Sequence, residues 1–152
     1  MKQHVWVLSA DTHKARLFEA TTPHSKKMEE IKTFLHPDTA LPERELVSDS
    51  LGRYRHGGDQ PHPKLPRTSP KDKRIEEFAR NVTEFLETAH KKGNFYKLGI
   101  VAAPHMLGEL RARFSEDLCR DLCFEMNKNV TQLGPVELRQ HLPDRLAPSA
   151  NL

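Results

Sequence analysis

The chain has 152 residues, with 24 Lys and Arg against 21 Asp and Glu and a formal net charge of +3. That length suits one domain over 1–152, and a hydrophobic content of 36% supports a core while leaving room for a polar, irregular segment. No apolar run approaches the roughly 20 residues of a membrane-spanning helix, and the stretch after Lys2 is broken by His4 and ends by Asp11, too short for a secretory signal, so the expected compartment is the cytoplasm with no membrane partner.

Val5 to Ala10 is a β-branched and aromatic run that reads as a buried strand. Asp11-Thr12-His13 reads as a turn, and Ala15 to Ala20 as a second strand returning antiparallel. After a turn around Pro23, Lys27 to Leu35 reads as a third strand, with Met28, Ile31 and Phe34 imperfectly spaced, though Glu29, Glu30 and Lys32 also tolerate a helix. The next long segment is different in kind. Gly52 to Arg74 holds seven Lys and Arg against Asp59 and Asp72, a local charge of +5, together with Pro61, Pro63, Pro66 and Pro70. Almost nothing in it is apolar, so burial cannot offset the entropy of ordering, and a mobile basic loop over 49–69 is expected. Long insertions of this kind inside a compact domain are uncommon and draw attention as functional segments.

A long amphipathic helix follows. Ser69 is the candidate N-cap, Pro70 fits the first helical position, and Ile75, Phe78, Ala79, Val82, Phe85, Leu86 and Ala89 recur every three or four residues up to Gly93. Lys97 to Ala103 suits a central strand covered on both faces. Pro104 opens a helix with Met106, Leu107, Leu110 and Phe114 on one side, and Ser115 to Leu118 continues as a short helical turn. Leu122 to Asn127 alternates as a fifth strand. Pro135 opens a last helix carrying Val136, Leu138, His141 and Leu142, stopped or kinked at Pro143, and a frayed tail is expected over 147–152. Right-handed crossovers then give an α/β fold, a ribonuclease H-like mixed five-stranded sheet: a three-strand meander followed by α-β-α-β-α.

Several chemistries are tested by residue type. Two-metal hydrolysis needs converging carboxylates. Asp11 with Glu76 or Glu77 supplies part of such a set, but the fourth strand ends Val101-Ala102-Ala103-Pro104 without an acid, and Asp11 reads as a turn residue. His56, Asp59 and His62 carry zinc-ligand atoms, yet a mobile Pro-rich loop offers no groups to orient them. Cys119 and Cys123 are read as reduced, buried thiols, and no G-x-S-x-G elbow is present. No metal and no cofactor are expected.

The constellation that remains is Gly52-Arg53-Tyr54-Arg55-His56-Gly57-Gly58-Asp59-Gln60. With Gly57-Gly58 at a loop tip, Glu77 to Ala89 in the following helix and Ile100-Val101-Ala102-Ala103-Pro104 at a strand end, the chain resembles the central domain of archaeal and eukaryotic class-I release factors. It resembles more closely a bacterial family labelled host attachment protein. The matching pieces are Val7-Leu8-Ser9-Ala10-Asp11 followed by Lys14-Ala15-Arg16-Leu17-Phe18, Ser48-Asp49 through Gly52-Arg53, and Ala103-Pro104 through Leu107-Gly108-Glu109-Leu110-Arg111. The release-factor resemblance implies loop-mediated binding to ribosome or tRNA. Arg53, Arg55, Lys64, Arg67, Lys71 and Lys73 would hold phosphates, Gly57 and Gly58 would permit close backbone approach, and Tyr54 and His56 would stack on bases. It also implies a Gln positioned for ester hydrolysis. Gln60 is the weak candidate, displaced by the intervening Asp59, whose carboxylate an RNA-lined site would repel. The family label implies instead a protein-interaction module with a protein partner.

Overall fold

A computed structural model describes residues 3–36 and 70–148. The expected basic loop over 49–69 lies outside the described residues, as do the candidate cap Ser69 and residues 149–152.

Strands β1 (Val5–Ala10), β2 (Lys14–Ala20) and β3 (Glu29–Leu35) form the antiparallel meander. Helix α1 (Pro70–Lys91) leads to β4 (Lys97–Ala102), then α2 (Pro104–Arg111), α3 (Glu116–Arg120), β5 (Leu122–Asn127) and α4 (Pro135–Gln140). The sheet order is β3-β2-β1-β4-β5, with β4 parallel to both β1 and β5. This is the mixed five-stranded, ribonuclease H-like arrangement expected from the alternation of patterns.

Each face of the sheet has its own core, because successive strand residues point opposite ways. Trp6, Leu8 and Ala10 of β1, Leu17 of β2, and Leu98 and Ile100 of β4 face α1 and α2, where Ile75, Phe78, Ala79, Val82, Leu86, Met106 and Leu110 are buried against them. Val5 and Val7 of β1, Phe18 of β2 and Val101 of β4 face the other way and meet Leu138, Leu142, Leu146 and Ala147. Burying each Leu-sized side chain is worth about 1.5–3 kcal/mol, so both layers contribute to holding the sheet.

Two irregularities explain where the sequence pattern is imperfect. Between β2 and β3, Leu17 faces Lys32 while the next residue, Phe18, faces Glu30, so Ile31 is the extra residue of a bulge and the alternation expected of β3 breaks there. Between β4 and β5, Leu98 faces Leu122 and Gly99 faces Phe124, leaving Cys123 as the extra residue. A Cβ built on Gly99 would lie 2.2 Å from the Phe124 ring, so only glycine lets that ring lie across β4.

Four positions depart from expectation. The sequence pattern puts Val136 on the buried stripe of the last helix, but it is 72% exposed. Leu138 and Leu142 are four residues apart and share a face, whereas Val136 lies about 200° around the helix from Leu138. Cys119, expected buried, is exposed on α3, and Cys123 is half-buried on β5, where burial pushes its thiol up to about 11. Ala147, expected to begin a frayed tail, is buried, and the Pro148 carbonyl accepts from the Tyr96 hydroxyl at 3.3 Å.

Candidate functional site

The strand directions place the functional candidates. Strands β1, β4 and β5 are parallel, so Asp11, Ala103 and Lys128 follow their carboxyl ends on one edge of the molecule. The chain passes into residues 37–69 from this same edge, since the His36 amide donates to the His13 carbonyl at 3.1 Å and the His36 ring packs edge-on against Phe78 near the start of α1. In open α/β sheets, the carboxyl ends of parallel strands are where ligands bind.

The local chemistry at this end is a closed polar brace. Asp11 Oδ1 accepts from the backbone amides of His13 at 2.7 Å and Lys14 at 2.9 Å, the Asx turn its position in the sequence suggests. Its Oδ2 accepts from the hydroxyl of buried Thr131 at 2.6 Å, joining residues far apart in the chain. Arg16, on β2, extends the brace: Nη1 donates to the carbonyls of Thr131 and Leu133 at 2.7 and 2.9 Å, while Nε and Nη2 fork onto Glu30 at 3.1 and 2.9 Å. The segment between β5 and α4 is thereby fastened across the end of β1 and β2. The opposite end of the sheet carries a second knot, in which Asp121 Oδ2 lies 2.8 Å from His90 Nε2 and Oδ1 accepts from Lys97 Nζ at 3.0 Å.

These carboxylates titrate low. Burial alone would raise Asp11, but the hydrogen bonds from Thr131, His13 and Lys14 together outweigh it and hold the group below its ordinary 3.8. Burial is likewise outweighed at Asp121 by His90 and Lys97, while at Glu30 the Arg16 fork is the largest influence. A carboxylate depressed in the folded state leaves the unfolded chain binding more protons, so its contribution is complete above the ordinary value and disappears as pH falls through the folded value. Stability is therefore expected to be level near neutrality and to fall as pH drops below about 4. Denaturant midpoints across that range should show a shallower acid limb for Asp11→Asn, which keeps an acceptor for the turn amides but has no proton to gain. An unchanged limb would remove Asp11 from the account.

The residues singled out by sequence fall into two groups. Arg53, Tyr54, Arg55, His56, Gly57, Gly58, Gln60, Lys64 and Arg67 lie outside the described residues, as does the side chain of Lys71. Lys73 is exposed in α1. Of the hydrolytic set, Asp11 is occupied as turn and brace, and among the described residues no three His, Cys, Asp or Glu gather as metal ligands. The zinc-ligand candidates His56, Asp59 and His62 lie outside the described residues. Sequence reasoning missed Arg16, Glu30 and Thr131 as members of this brace; Asp11 as a turn former was the one local signal pointing to this place.

Among the described residues no helix is long and apolar enough to cross a membrane. No curated protein matches the sequence. Solved structures that are similar include an archaeal protein, with a TM-score of 0.45 and 9% identity over 85% of this chain and 31% of its own. The archaeal translation termination factor aRF1 gives a TM-score of 0.43 and 6% identity over 91% of this chain and 37% of its own. The type II variant of the Aquifex aeolicus Ppx/GppA phosphatase gives 0.36 and 17% over 82% and 35%. The chain thus spans about a third of the length of each. The family model described as "Protein required for attachment to host cells" matches residues 6–142, from β1 to just past α4. By that match the chain belongs to this host attachment family.

Proposed function

We propose that this protein is a cytoplasmic factor that binds structured RNA, ribosome or tRNA, through the basic segment Gly52–Arg74. The observation that carries the reading is the concentration of charge: seven Lys and Arg with two Asp in that segment of a chain whose whole net charge is +3. Paired glycines within it allow the backbone to approach a phosphate chain, and arginines release its counterions. The role is binding. Asp59 between Gly58 and Gln60 sets the Gln one place away from the tip and introduces a repelling charge, which weighs against ester hydrolysis.

The test is cosedimentation with ribosomes and binding of bulk tRNA at two salt concentrations. Arg53→Ala/Arg55→Ala is expected to weaken binding and to reduce the salt slope by about 0.7 to 0.9 for each phosphate that is no longer neutralised. Unchanged affinity at low salt would remove the segment from consideration. A second reading, a protein-interaction module without a nucleic-acid partner, is favoured by the family's description. Capture of a protein partner from lysate that persists after nuclease treatment would favour it over RNA.

A further inference from the structure

We draw no further inference here: the strongest candidate, the half-buried apolar strip that Cys123, Phe124 and Met126 form along the edge strand β5 with Tyr96, Val130 and Leu133, carries nothing because, among the described residues, nothing in the structure shows what covers it.

Discussion

Gly99→Ala is expected to destabilise the protein by about 3 kcal/mol, the upper end for forcing added atoms into a filled site. The new methyl would lie 2.2 to 2.7 Å from three atoms at the tip of the Phe124 ring, well inside van der Waals range. The ring is half-exposed on β5, so it yields by swinging outward, which strips packing from Val101, Leu138 and their neighbours on the second core layer. A loss of that size is a large fraction of the roughly 5 to 15 kcal/mol that holds a domain of this kind together. Urea denaturation should show a lower midpoint at unchanged slope. The cause is isolated by Phe124→Ala: once the ring is gone, adding the methyl at Gly99 should cost much less, an interaction energy of about 1 to 3 kcal/mol between the two sites. Additive losses would mean that the ring is not the reason glycine stands there.

Arg16→Ala comes next, with an expected loss of about 2 kcal/mol. Hydrogen bonds to charged groups contribute roughly 1.5 to 3 kcal/mol each, reduced here by partial exposure of the Arg16 and Glu30 side chains and by water reaching the freed carbonyls. The planar guanidinium reaches a carboxylate on β3 and two carbonyls after β5 at once, which a lysine ammonium cannot do, so Arg16→Lys should recover little. The distinguishing measurement is hydrogen exchange. Amides of residues 128–134 should lose protection far more than those of β1 and β4, because the brace holds that segment while the sheet is held by its two cores. Uniform loss of protection would show that Arg16 supports the whole domain and not this end.

The two cases mark where reading a sequence succeeds and where it stops. Elements whose burial is periodic are legible: the stripe from Ile75 to Ala89, the alternation of Leu122 to Asn127, and the strand from Val5 to Ala10 that both cores share. The bulge at Ile31 is visible only as an imperfection of spacing, since a one-residue insertion is defined by the partner strand. The same holds for Gly99, whose meaning is a ring from β5. The brace is illegible because the bonds that fasten the segment after β5 join residues 115 to 120 positions apart, and a threonine in a polar stretch gives no sign of which carboxylate it will meet. Charge, by contrast, needs no partner to be counted, so the basic segment stands out from the sequence alone.

The division of the core into two layers has a consequence for how the molecule is made. During vectorial synthesis the meander emerges first, and Val5, Val7 and Phe18 are then bare on the side that Leu138, Leu142 and Leu146 later cover. The other side waits for α1. A nascent chain that has not yet reached α4 thus leaves this apolar face only partly covered, by Met28 and by residues of and after β5 such as Phe124 and Met126, and the layer closes last, when Leu138, Leu142 and Leu146 arrive.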